Sequence, residues 1–108
     1  AYTGTHDNDT LRGWYEKLGN DTRQYILNSL KIKKNDIDRI IIGLIKILFE
    51  SKASLCILPL QDFLCLGTDA RINTPSTIGC NWKWRLSSHM LDEELAEKIK
   101  LLTEESKR

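Results

Sequence analysis

An imidazole, a carboxylate and an amide stand side by side at His6-Asp7-Asn8, directly after Tyr2-Thr3-Gly4-Thr5, which reads as a short strand. At a strand end an Asp can balance the positive charge of an oxocarbenium-like transition state or accept from sugar hydroxyls, and a neighbouring His can donate to another hydroxyl. The same residues also suit a plainer role, with Asp7 or Asn8 capping the next helix and His6 as a satisfied polar neighbour. Both readings stay open on these residues alone. A metal centre from His6, Asp7 and Asp9, with His89 as a remote candidate, fits no zinc-ligand spacing, so no metal is expected.

Three further groups carry polar chemistry. Gln61 and Asp62 come just after the apolar run Ala53–Leu58; they can orient the His-Asp site or cap the turn at Leu60–Leu66. Arg71-Ile72-Asn73-Thr74-Pro75-Ser76-Thr77 offers an amide, hydroxyls and a rigid Pro to a carbohydrate, or is simply a turn. Asn81-Trp82-Lys83-Trp84-Arg85 alternates aromatic and basic side chains, which can stack on sugars or bases, or pack as buried Trp beside an Arg ion pair.

These groups need elements to hold them. Asn8 or Asp9 can cap a helix whose apolar side is Leu11, Trp14, Tyr15 and Leu18, and Gly19-Asn20 then stops it. Asp21–Leu30 repeats the pattern with Tyr25, Ile26 and Leu30. Asn35-Asp36 caps the longest helix, Ile37–Ser51, with Ile37, Ile40, Ile41, Leu44, Ile45, Leu48 and Phe49 at helical spacing. Ala53–Leu58, ended by Pro59, reads as a strand buried on both faces of a parallel sheet. Leu60–Leu66 is a helical turn ended by Gly67, and Asp69–Trp84 is a long irregular segment of the kind that is usually functional. Asp92-Glu93-Glu94 opens a last surface helix through Leu95, Ile99 and Leu102.

Strand, helices, strand, loop, helix is the alternation of a parallel sheet or barrel. Two strands cannot form such a sheet alone, so most of it is expected to lie outside these residues. The opening Ala1, followed at once by a strand interior, likewise suggests a piece of a longer chain. Exposed strand edges predict either self-association of the isolated piece or helices repacked over them.

Composition removes other classes. Sixteen Lys plus Arg against fifteen Asp plus Glu leave a formal charge of +1, which disfavours nucleic acid and anionic membranes as partners. The 41% of hydrophobic residues suffices for a modest core. The longest apolar stretch, Ile37–Phe49, is broken by Asp38, Arg39 and Lys46 and is too short to span a bilayer. Cys56, Cys65 and Cys80 show no paired spacing, which suggests reduced thiols and a cytoplasmic protein.

Four separated stretches, in order, resemble the C-terminal portion of the 4-α-glucanotransferases of the amylomaltase or disproportionating-enzyme type, glycoside hydrolase family 77. They are Tyr2–Tyr15 (YTGTHDNDTLRGWY), Pro59–Gly67 (PLQDFLCLG), Ala70–Thr77 (ARINTPST) and Gly79–Leu86 (GCNWKWRL). The resemblance implies an α/β fold, about the last two β/α units of a (β/α)8 TIM barrel, mostly helical as an isolated fragment. Residues 1–52 would hold the seventh strand and the helices after it; residues 53–108 would hold the eighth strand, the substrate loop and the closing helix.

By position in the motifs, Asp7 resembles the family's transition-state stabiliser, and His6 and Asn73 resemble its substrate-binding residues. Asn8, Gln61, Asp62, Trp82 and Arg85 would stand behind them. The implied reaction moves α-1,4-glucan segments of starch or maltodextrin between malto-oligosaccharides by retaining double displacement, with no cofactor. Its nucleophile and acid/base would lie in the missing N-terminal part of the barrel, so the fragment alone should be inactive. A non-catalytic glucan-binding or assembly module is the alternative. The family pattern carries Gly where this chain has Cys65, which reads as drift, and Gly where it has Ser76, which bears on any turn that needs positive φ at residue 76.

Overall fold

Asp36 opens the helix around which the rest of the chain is arranged. In the computed structural model, which describes residues 1–108, its carboxylate accepts a hydrogen bond from the Arg39 amide at 3.3 Å. Apolar residues at three- and four-residue spacing then place Ile40, Ile41, Ile45 and Phe49 on one buried face. The helices in chain order are α1 (Leu11–Glu16), α2 (Asn20–Ser29), α3 (Ile37–Phe49), α4 (Leu60–Phe63) and α5 (Glu93–Glu105), with single 3-10 turns at Thr68–Ala70 and Ser88–Met90.

The long helix α3 packs against α1, α4 and α5. Phe49 meets Phe63 of α4 edge to face, with ring centroids 6.2 Å apart. Lys46 reaches Glu105 of α5 at 2.8 Å, and the last residue, Arg108, donates to the carbonyls of Phe49 and Ser51, which the end of α3 leaves without helical partners. Asp92 caps α5 as its acidic first turn predicts, accepting from the Leu95 amide at 2.8 Å.

Local signals misplace some details. The cap of α1 is Thr10, whose hydroxyl accepts from the Gly13 amide at 3.0 Å; Asn8 and Asp9 are engaged elsewhere. Trp14 and Tyr25, on predicted apolar faces, are exposed, and the packing falls to Tyr15 and Ile26. The turn after Pro59 is stopped at Cys65, with φ 53°, before Gly67 is reached. There the amides of Cys65 and Leu66 donate to the carbonyls of Asp62 and Gln61 at 3.1 and 2.9 Å, the paired bonds of a Schellman closure.

The two expected strands are not regular strands. Residues 1–2 and 55–57 meet in a single parallel bridge, Tyr2 with Ile57, in which the Ile57 amide donates to the Ala1 carbonyl at 3.0 Å. Instead of being buried on both faces, Leu55 and Ile57 are 64% and 62% exposed. Parallel pairing becomes regular only with neighbours on both sides, and no other segment of these residues supplies them. No helix is long and apolar enough to cross a membrane.

Candidate functional site

The bridge at Tyr2 delivers the chain into a tight turn, Thr5–Asn8, whose ends are locked together. The Asn8 amide donates to the Thr5 carbonyl at 3.1 Å, while Asn8 Oδ1 accepts from the Thr5 amide at 2.7 Å and the Thr5 hydroxyl at 3.0 Å. Gly4 makes this possible, because a Cβ there would come within 2.9 Å of the Asn8 Cβ. Asn8 is therefore a turn lock and not a helix cap, and the middle residues His6 and Asp7 project outward with half-exposed side chains.

Asn73 is brought to this turn from 66 residues away. Its side-chain amide donates to Asp7 Oδ1 at 2.6 Å, and its backbone amide donates to the His6 carbonyl at 3.1 Å. His6 Nε2 lies 3.2 Å from the same Asp7 oxygen. Asp7 Oδ2 has no hydrogen-bond partner in the chain, so one carboxylate oxygen is held and the other is open. Trp82 stands beside the cluster, its indole 5.0 Å from the His6 ring, and its backbone amide donates to the Ile72 carbonyl at 2.8 Å. The half-exposed indole does not form the buried packing that was the other reading of this stretch.

Asp62 and Gln61 are buried behind the turn. Asp62 Oδ1 accepts from the Leu11 amide at 2.8 Å and Oδ2 from the Thr3 hydroxyl at 2.5 Å, so one carboxylate grips the chain on both sides of residues 5–8. Gln61 donates to the Ala70 carbonyl at 3.3 Å and anchors the start of the Asn73 loop. His6, Asn8, Gln61, Asp62 and Arg71 line a cleft of about 270 Å³, with Asp7 and Asn73 outside it. Arg85 lies farther out and makes no ion pair; its guanidinium donates to the carbonyls of Trp82 and Trp84 at 3.1 and 2.8 Å.

Asp9 ties the same region to α1. It accepts from Lys17, from the Thr68 hydroxyl at 3.0 Å and from the Thr10 amide at 2.8 Å. Burial pushes the Asp9 carboxyl upward, but these hydrogen bonds outweigh it and hold the group below its ordinary value. His89 sits in the 3-10 turn Ser88–Met90, and no group of three or more His, Cys, Asp or Glu side chains converges as metal ligands would.

Two polar residues of the site lie in stretches that the sequence singles out, but receive no role of their own there. Asn81 accepts from the Thr74 amide at 2.9 Å and donates to the Thr77 carbonyl and hydroxyl at 3.1 and 3.0 Å, closing the loop after Asn73. Arg71 donates to the carbonyls of Asp7 and Asn73 at 2.7 and 2.8 Å. Neither belongs to a periodic or charge pattern that would single it out.

Comparison with known proteins gives this geometry a context. The family model described as 4-alpha-glucanotransferase matches residues 1–92. The chain is 43% identical over 104 residues to a 4-alpha-glucanotransferase of Clostridium butyricum, covering 95% of this chain and 21% of the relative. It is 42% identical over 103 residues to the chloroplastic/amyloplastic 4-alpha-glucanotransferase of Solanum tuberosum, covering 94% and 17%. The solved amylomaltase from Streptococcus agalactiae, in complex with acarbose, superposes with a TM-score of 0.90 at 32% identity, covering 100% of this chain and 21% of that one. The chain thus spans about a fifth of the length of the relatives it matches. Since the family model takes in every residue of the His6-Asp7-Asn73 cluster and every helix but α5, the chain belongs to the 4-alpha-glucanotransferase family.

Proposed function

We propose that these residues form one wall of the active site of a 4-α-glucanotransferase that moves α-1,4-glucan segments between malto-oligosaccharides by retaining double displacement. The observation that carries this reading is the Asp7–Asn73 contact: two residues 66 positions apart, joined at 2.6 Å on an accessible rim in a chain of this family. Residues 1–52 are read as the seventh strand and following helices of a (β/α)8 barrel, and residues 53–108 as the eighth strand, substrate loop and closing helix. The protein is placed in the cytoplasm and requires no cofactor.

In this reading Asp7 carries negative charge toward the glycosyl centre as positive charge develops there. Asn73 holds its Oδ1, beside which His6 Nε2 stands at 3.2 Å, and this leaves Oδ2 for a sugar hydroxyl or the developing oxocarbenium ion. His6 and Asn73, each half bound to the turn, also present donors to hydroxyls of the same glucan. The nucleophile and the acid/base are assigned to parts of the barrel upstream of Ala1, and no Asp or Glu of these residues takes their place. The similar amylomaltase is solved in complex with acarbose, which supports a carbohydrate as the ligand class in this reading.

The test uses the full-length protein. Asp7→Asn is expected to lower disproportionation of maltotriose by about 10²–10³-fold, while the isolated 108-residue chain shows none. Unchanged transfer in the Asn variant, or turnover by the isolated chain, would overturn the reading.

A further inference from the structure

Arg71 has no partner carboxylate within 4.0 Å, although it is one of sixteen basic side chains balanced by fifteen acidic ones. Its guanidinium is spent on two backbone carbonyls. Nη2 donates to Asp7 O at 2.7 Å, across 64 residues of chain, and Nε donates to Asn73 O at 2.8 Å. These two groups lie on one edge of the planar fork, so they donate in parallel and fix the two carbonyls relative to each other. The Asn73 amide closes the frame by donating to the His6 carbonyl at 3.1 Å.

The consequence falls on the side chains. Asp7 Oδ1 and Asn73 Nδ2 meet at 2.6 Å because their own backbones are clamped, by Arg71 on one side and by the amide-to-carbonyl bond on the other. Without the clamp, the Thr5–Asn8 turn keeps its internal bonds but loses its guanidinium tie to the Asn73 loop. A Lys would bring one strongly hydrated ammonium on a flexible stem in place of two donors at fixed spacing.

We infer that Arg71 is a positioning residue for glucan transfer: it holds the Asp7 carboxylate and the Asn73 amide in register by bridging their backbones, without itself touching the sugar. This rests on the glucan-transfer reading of Asp7.

The experiment compares Arg71→Lys, Arg71→Ala and Asp7→Asn in the full-length protein with maltotriose as substrate. Arg71→Lys is expected to lower kcat about tenfold to a hundredfold, as small misplacements in an active site do, with KM within about threefold and the thermal midpoint close to that of the parent. Guanidinium added to Arg71→Ala is expected to restore part of the lost kcat, an effect that a merely structural role would not produce. Arg71→Lys turning over within about twofold of the parent overturns the inference, as does a loss that disappears once activity is expressed per folded molecule. If Asp7→Asn keeps its activity, the underlying reading falls whatever Arg71 does. If Asp7→Asn is impaired and Arg71→Lys is not, only the positioning role falls.

Discussion

Ser76 carries a backbone conformation that its side chain disfavours. In the turn closed by the Thr77 amide and the Thr74 carbonyl at 3.3 Å, Pro75 takes the second place and Ser76 the third, with φ 62°. That third place favours Gly, since a Cβ in the left-handed region costs about 1–2 kcal/mol. Ser76→Gly is therefore expected to raise stability by about 0.5–1 kcal/mol after the greater freedom of Gly in the unfolded chain is deducted. Urea denaturation of the two forms would measure it, and a loss of stability would refute the turn assignment. Cys65, at φ 53°, differs because its side chain is buried, and burial pushes its thiol pKa up; Gly there would also lose packing. The strain at Ser76 is legible in the sequence as a departure from a Gly-bearing family pattern; the same departure at Cys65 reads as drift, and only the structure shows its positive φ. His6, Asp7 and Asn73 are legible because the family motifs match their own side chains to named positions. Arg71 and Asn81 lie in the same motifs, but their work is not legible, because it lies in contacts with backbone groups that no local pattern announces.

Among elements, α1 and the Asp7 turn depend on a carboxylate from α4. Asp62 is 2% exposed and satisfies both the Leu11 amide and the Thr3 hydroxyl, so it acts as a long-range cap. Removing it leaves a half-buried amide and hydroxyl without their partner, so Asp62→Ala is expected to cost about 1–3 kcal/mol. Asp62→Asn, which keeps one acceptor oxygen, should cost less. Far-UV circular dichroism in urea would rank the variants, and equal stability of Asp62→Ala and the parent would contradict the cap. Helices of this chain are readable in advance because capping and 3.6-residue periodicity are local; Asp36 and Asp92 begin their helices where their types suggest. The cap of α1 moves to Thr10 because Asn8 folds back on Thr5 and Asp9 is drawn to Lys17 and Thr68. Strands are harder, since the apolar run Ala53–Leu58 specifies burial without supplying the neighbours that would bury it.

For the whole molecule, the same shortage sets its behaviour in solution. The radius of gyration is 14.5 Å, whereas a compact domain of about this length measures roughly 13 Å. Only 15 of 108 residues are buried, so the core under α3 is small for the chain that surrounds it. Along the Tyr2–Ile57 bridge, Tyr2, Leu55 and Ile57 are each more than 60% exposed, beside backbone groups without sheet partners. Such an edge is a template for another strand. The isolated chain is therefore expected to self-associate as its concentration rises, with elution in size-exclusion chromatography moving toward larger species. Ile57→Lys puts a charge where an added strand would pack and should shift elution back toward the monomer. The +1 net charge offers little repulsion against this association, so added salt should change it only slightly. A strictly monomeric profile at every concentration would show that the bridge region is protected without a partner strand, and would refute pairing through this edge.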